Sequence, residues 1–393
     1  DAIAPLLKEK DKETVSLRFK KDLVHRAYTN PNPALVPALE PMLLHDDVFV
    51  ATWAARALGR IGTPSAIQTL VRGLAGEDQE RLVEGLAASS SKEATKELAR
   101  LAEEGSGFGA RPKAARALLK RPGAVAADGL VRHVAVAESY NLSSALLVAT
   151  KYGPTLEPRL VSALEAEKDA ARLANLLRLA ALIPSVNCVR IAAGHQQSSD
   201  PKVRLGAVAV RAQAGEGKSE LASAFAGASG GDKIVILEAL GHLGADSVLR
   251  ASIDDRVRQD SPALFLVALK AAGRAKDKSL RTKLTKLLAD PNPLVVASAA
   301  HGLVLMGEKK RVLALLESRQ YTIVSAIARG LGETKDASAV SVLIDAYGAD
   351  DGAWIGSEPG EGGPYGMPRQ EIAAALRRIG GNDAEAFLKR IEG

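Results

Sequence analysis

Apolar residues recur along this chain at helical spacing, and they do so in sentences that repeat. The clearest is Asp47 to Leu74, DVFVATWAARALGRIGTPSAIQTLVRGL, which reads as the end of one helical hairpin, a Gly-containing turn, and the start of the next. Starts of the second helix of each hairpin are expected near Val48, Arg81, Arg111, Leu142, Ala171, Val203, Lys233, Pro262, Leu294, Thr322 and Arg369. Apart from the last interval the period stays close to thirty residues, which is what two helices of ~12 residues and two short turns occupy. Self-similarity at this period predicts stacked helical pairs. No long alternating run rich in Val, Ile and Thr occurs, so no sheet is expected.

The second helices share a tail: AARALGRIG (Ala54 to Gly62), EALGHLG (Glu238 to Gly244), ALKAAGR (Ala268 to Arg274), HGLVLMG (His301 to Gly307) and ARGLGE (Ala328 to Glu333). Gly at the helix end supplies a left-handed cap, and Gly or Ala within the helix permits close approach. Cap and turn signals precede several second helices, as in His45-Asp46-Asp47, Ser199-Asp200-Pro201 and Asp290-Pro291-Asn292-Pro293.

The runs DPKVRLGAVAV (Asp200 to Val210) and DDVFVATWAARALGRIG (Asp46 to Gly62) resemble HEAT repeats, closest to the short bacterial type of phycobilisome lyases. The resemblance covers roughly residues 33–393 and is weakest between Arg81 and Leu182. It implies an all-α fold, an α-solenoid (superhelix) of about eleven stacked HEAT-like helical hairpins, with second helices on the concave face. Asp200, Val203 and Arg204 match the family's Asp and Val-Arg positions, which imply a ladder between repeats. Asp290 matches too, but Val295-Val296 replaces Val-Arg, so a broken ladder is expected there.

Two segments depart from the period. Residues 1–45 are expected to form an irregular helical N-terminal cap before a repeat array over 46–393. A Gly-rich insertion, Gly348 to Pro368, stretches the last interval to 47 residues. Insertions in repeat arrays tend to emerge on one edge, often the binding edge.

Composition adjusts this picture in three ways. Hydrophobic residues make up 47% of the 393 residues but aromatics only 4%, so the apolar mass is small and aliphatic, as close helix stacking requires. The formal net charge is +6, which permits an anionic partner without demanding one. Cys188 is the single cysteine, so an intrachain disulfide is excluded. That fits a reducing compartment and leans toward the cytoplasm. The start at Asp1 without Met leaves open a removed signal peptide, a trimmed domain or a cleaved tag, so the compartment stays open. No apolar run approaches the ~18 residues that cross a bilayer.

Candidate chemistry is concentrated in two places. At the matched second-helix position stand Arg56, Arg116, Arg211, Lys270, His301, Arg329 and Arg377; His242 fits with a shift of one, Lys151 and Arg178 with more slack. Stacking would line these side chains up at ~10 Å intervals, a basic groove suited to an acidic protein surface or peptide, or to nucleic acid. The same pattern also describes a solvated helix face whose cations pair with acids such as Glu84 and Glu238. Aromatics able to stack bases are sparse there, which argues against single-stranded nucleic acid. The second place is the insertion, where Trp354, Ile355, Tyr365 and Met367 are candidate anchors for a partner.

Formal motif hits lose their context. Ala212 to Ser219, AQAGEGKS, fits a relaxed P-loop, but a helical pattern precedes it where a strand is required. Gly227, Ser229 and Gly231 give G-x-S-x-G in a chain with no sheet. The six histidines show neither i, i+4 pairs nor H-E-x-x-H, and His45 with Asp46 and Asp47 reads as a helix cap. Iron-dependent HEAT-like hydroxylases of the deoxyhypusine type carry His-Glu pairs; this chain has no His-Glu dipeptide. No catalytic set, metal site or cofactor is therefore expected. The expected function is a non-enzymatic protein-interaction scaffold. The alternatives are a nucleic-acid-binding solenoid, including a glycosylase-like one, and a lyase-like or chaperone-like factor acting on a cofactor-bearing protein. The partner's identity and the oligomeric state do not follow from the residues.

Overall fold

The computed structural model describes residues 17–392, apart from residues 75, 77, 122, 139–140, 184, 319 and 349–367. Among the described residues every regular element is a helix. The second helices of the hairpins are numbered here in chain order. They are α1 (Val48–Ile61), α2 (Gln79–Ala87), α3 (Gly107–Leu118), α4 (Leu142–Lys151), α5 (Ala170–Leu182), α6 (Pro201–Arg211), α7 (Gly230–Leu243), α8 (Pro262–Arg274), α9 (Pro293–Met306), α10 (Tyr321–Thr334) and α11 (Pro368–Ile379). Each begins within four residues of the position read from the sequence, the widest miss being Gly107 against Arg111.

The helices start where their caps say. Asp47 accepts from the Val50 N–H at 3.0 Å, Asp78 from Arg81 N–H at 2.9 Å, Asp169 from Arg172 N–H at 2.9 Å, and Asn292 from Leu294 N–H at 2.9 Å. Each side chain takes up an N–H that the helix itself leaves unpaired.

The chain divides into two compact units, meeting between Val136 and Ala137. In the first, helix Leu17–Thr29 packs on α1, α1 on α2 and α2 on α3, while Pro64–Leu74, Lys92–Glu104 and Ala124–Ala135 form the other row. In the second, α7 to α11 pack in sequence, each helix on the next. These inner helices are buried nearly all round: in α9 every residue from Val295 to Leu305 is buried. Row neighbours cover two sides and the first-row helices a third, so an apolar stripe alone does not suffice.

Small residues set the helix spacing. A Cβ added to Gly273 of α8 would lie 2.1 Å from the carbonyl oxygen of Gly302 in α9, and one on Gly59 of α1 would lie 1.8 Å from that of Gly85 in α2. Gly332 of α10 sits against Ala375 of α11 in the same way, at 2.8 Å. Only glycine fits at such backbone contacts.

Polar side chains tie each repeat to the next. Buried Arg121 donates to the carbonyls of Leu86 (2.7 Å) and Ser89 at the end of α2, and to Thr95 Oγ1 (2.8 Å). Gln213 does the same for α5, donating to Ala180 O at 3.0 Å. These are the orphan carbonyls of a helix end, received one repeat later. The ladder expected to break at Asp290 is intact, because Arg258 grips that carboxylate with both guanidinium nitrogens at 2.7 and 2.9 Å. Arg258 lies before the Asp, in helix Asp255–Asp260, so the Val-Arg position two turns later is not needed. Asp200 by contrast caps its own helix, and Arg204 donates to Ser198 O at 2.8 Å within its own turn.

In the second unit, side chains two repeats apart meet. Arg178 of α5 reaches Asp232 of α7 at 2.5 Å, and Arg274 of α8 reaches Glu333 of α10. Packed helices lie roughly 10 Å apart, so alternate helices in a flat row would stand ~20 Å apart. An Arg–Glu pair cannot span that, so the second row is on the inner side of the bend within this unit.

Two substitutions test the register. Leu58 is fully buried, and Leu58→Ala is expected to lower stability by about 2–5 kcal/mol. Gly273→Val forces α8 from α9 and is expected to cost about 1–3 kcal/mol or more. Urea denaturation followed by circular dichroism reads both; losses near zero would mean that the helix faces are assigned wrongly.

Candidate functional site

The cations read from the second helices fall in two settings, one in each unit. In the first unit it stays near solvent. Arg56 Nη2 lies 3.2 Å from Glu84 Oε2, the anticipated partner, and its guanidinium stacks over Trp53 at 5.2 Å. Arg116 is exposed on α3. Trp53 is the centre of an aromatic cluster, with His25, Tyr28 and Phe49 at 4.8, 5.1 and 5.6 Å between ring centroids. This cluster carries open apolar surface: Phe49 is 41% exposed, Val48 68% and Leu44 58%. Lys21 lies over Phe49 and pairs with Asp47 at 3.0 Å.

In the second unit Lys270, His301 and Arg329 are drawn into the protein. Lys270 Nζ sits 2.9 Å from Glu238 Oε2, again the anticipated pair. His301 has no exposed surface and points Nε2 at Glu333 Oε1, 3.4 Å away. Arg329 Nε donates to Glu371 Oε2 at 3.0 Å, a pair almost wholly buried. Arg211 pairs with Glu216 at the end of α6, and Arg377 is exposed on α11.

Arg274 joins these groups into one network over α7 to α10, bridging Glu238 and Glu333. Burial opposes ionisation of Glu238, but Arg274 and Lys270 outweigh it and hold its carboxyl down at about 2. Glu333 is likewise held well below the usual range, its burial overcome first by Arg274. Burial, then Arg274, lowers His242 to about 4, and burial also lowers His301. At neutral pH the network thus holds two carboxylates, two cations and two neutral imidazoles. Its carboxyls are ionised and committed to cations, so neither is poised as a general acid near pH 7. Arg274 and Glu333 were not singled out as site residues in the sequence; the available signal was opposite charge recurring at second-helix tails.

Other candidates resolve simply. The AQAGEGKS turn follows helix α6, as its pattern indicated, and lines an open pocket of about 370 Å³ with Arg211 and Lys218. Lys218 is spent on Ala245 O at 2.8 Å. Cys188 is buried, which pushes its thiol up and away from reactivity. Among the described residues no group of His, Cys, Asp or Glu is placed to hold a metal, and no helix is long and apolar enough to cross a membrane. Trp354, Ile355, Tyr365 and Met367 lie outside the described residues.

Comparison with known proteins bears on the repeat. Residues 23–83 match the family model for HEAT repeats. No curated protein sequence is similar to the chain. Among solved structures the chain is similar to Kap121p, with 13% identity and a TM-score of 0.35, over 96% of this chain and 45% of that one. A triple mutant of Kap121p gives a TM-score of 0.34 at the same identity. A chain of the cadherin–beta-catenin phosphorylation-switch structure gives 16% identity and a TM-score of 0.23, over 95% of this chain and 80% of that one. The chain thus spans less than half the length of Kap121p.

The network predicts a pH response. An unfolded histidine titrates near 6.5 and His242 in the fold near 4, so between these values the unfolded chain binds the extra proton. The contribution of His242 is whole above pH 6.5 and is lost as pH falls toward 4. That of Glu238 persists above 4.5 and is lost toward 2. His242→Gln is expected to flatten the fall in urea midpoint between pH 7 and pH 4.5; a slope equal to the wild type's would remove His242 from the account.

Proposed function

We propose that this HEAT-repeat chain is a non-enzymatic scaffold that binds a protein partner bearing acidic groups. The observation that carries the reading is the exposed aromatic and aliphatic patch at α1. Leu44, Val48 and Phe49 present apolar surface beside the ordered Trp53 cluster, and Arg56 lies across the Trp53 ring. Rigid aromatics with an adjacent arginine are the composition of binding hot spots. The charge balance, +6 for the chain, favours an acidic partner over a basic one.

Within this reading the outward members of the column, Arg56, Arg116, Arg211 and Arg377, are contact residues. Lys270, His301 and Arg329 serve the frame, since each is engaged inside the second unit. Trp354, Ile355, Tyr365 and Met367, outside the described residues, are proposed as further contact residues.

The test is capture of partners from the native host's lysate, at low and moderate salt, with and without nuclease. A protein partner that survives nuclease and moderate salt is expected, as is its loss with Phe49→Ser combined with Arg56→Glu. Deletion of residues 349–366 is expected to leave the thermal transition unchanged and to weaken capture. Binding that disappears with nuclease would replace this reading by a nucleic-acid one.

A further inference from the structure

Helices α8, α9 and α10 end in the same turn. After α8, Lys276 N–H donates to Gly273 O and Asp277 N–H to Ala272 O; after α9, Gly307 donates to Val304 O and Glu308 to Leu303 O; after α10, Lys335 donates to Gly332 O and Asp336 to Leu331 O. This pair of bonds is a Schellman cap, whose first residue past the helix is left-handed and ordinarily glycine. Gly307 obeys, with φ 92°. Lys276 and Lys335 do not: with φ 52° and 51° they are the two non-glycine residues of positive φ among the described residues. A side chain is kept at both places against the local backbone preference.

The turns form one continuous edge. Each acid that follows the left-handed residue is taken by a cation from the turn or helix start of the repeat before. Arg250 pairs with Asp277 at 2.7 Å, Arg281 with Glu308 at 2.9 Å and Lys309 with Asp336 at 2.7 Å. The acids of the edge are therefore consumed internally. What is left over is positive: Lys276, Lys278, Lys310, Arg311 and Lys335 are all exposed, and none has a carboxylate partner among the described residues.

We infer that this edge is a docking site for an extended acidic segment of a protein partner. The inference rests on the protein-binding reading above and assigns it a further surface, within the second unit. Successive turns step by about one helix-packing distance, ~10 Å. An extended peptide rises ~3.3 Å per residue, so a carboxylate at every third residue keeps pace with them. Nucleic acid fits less well. Four of the five surplus cations are lysines, point charges without the arginine fork, and no Phe, Trp or Tyr occurs between residues 266 and 320 to stack a base.

The test uses the full chain and a labelled 20-residue polyglutamate peptide at moderate salt, with a 20-base-pair DNA duplex as competitor. Reversing Lys276, Lys278, Lys310, Arg311 and Lys335 to Glu is expected to weaken peptide binding by about tenfold or more. Reversing five exposed cations elsewhere, Lys92, Lys96, Lys168, Arg172 and Lys202, is expected to change it by less than about threefold. Lys276→Gly with Lys335→Gly removes two charges while relieving the left-handed strain. That variant is expected to melt no lower than the wild type and still to bind more weakly, which guards against misfolding as the cause. Equal losses for the two reversed sets, or a duplex that displaces the peptide more effectively than unlabelled polyglutamate does, would overturn the inference. Undiminished retention of a captured protein partner by the edge-reversed chain would also overturn it, while leaving the scaffold reading in place.

Discussion

Backbone meets backbone where successive second helices cross, and much else follows from that contact. Gly59 against Gly85, Gly273 against Gly302 and Gly332 against Ala375 leave no room for a side chain at the crossing. In the second unit, helices this close bury α9 from Val295 to Leu305, which is why that helix is apolar on all sides rather than striped. The same constraint accounts for a chain rich in Ala, Leu and Val and poor in aromatics. Large rings appear chiefly where the row is open, as at Phe49 and Trp53, or beside a first-row helix, as where Tyr347 meets Phe387 at 5.1 Å.

Close packing on the inside of a bend also determines the electrostatics. Glu238, Lys270, Arg274 and Glu333 of the second unit are largely shielded from water, so they reach one another. Glu238 takes Lys270 and Arg274 from the next helix, and Arg274 goes on to Glu333 two helices away. Removing charges from water costs several kcal/mol per ion, and their mutual attraction returns this only with good geometry, so such a network is weak evidence for stability. It is stronger evidence for order. Each acid finds its cation only if α7, α8 and α10 hold their present sequence and curvature, and loss of any one partner would leave a buried, unpaired charge.

The helical period was legible because it needs only spacing and caps. Asp47, Asp78, Asp169 and Asn292 mark helix starts by a local bond, and local bonds can be read from local sequence. The pairs Arg56–Glu84 and Lys270–Glu238 were legible for a related reason, since partners about one repeat apart share a register. The Arg274–Glu333 bridge was not, because a contact over two repeats depends on curvature, a property of many packed side chains rather than of either residue. The rung at Asp290 is closed from the other direction, by Arg258 of the preceding first-row segment, which spacing after the Asp does not reveal. Nothing in the spacing marks the boundary between Val136 and Ala137, as the period runs through it unchanged.

The fold uses up its acids sooner than its bases, and this links the core to the surface. In the turns after α8, α9 and α10 the acid one residue past the left-handed position is always committed to a neighbouring repeat, whether as Asp277, Glu308 or Asp336. Each such rung joins two repeats and leaves the remaining cations of the turn without a counter-charge. In these turns the unpaired cations Lys276, Lys278, Lys310, Arg311 and Lys335 stay exposed beside the rungs. The left-handed lysines sharpen the point. At Gly307 the turn closes with the residue its backbone prefers, so nothing in the geometry of the turn calls for a lysine at 276 or 335. What the lysines add is an exposed charge at the turn. Packing and charge display are thus carried by different residues of the same turn, and substitutions that alter one need not disturb the other.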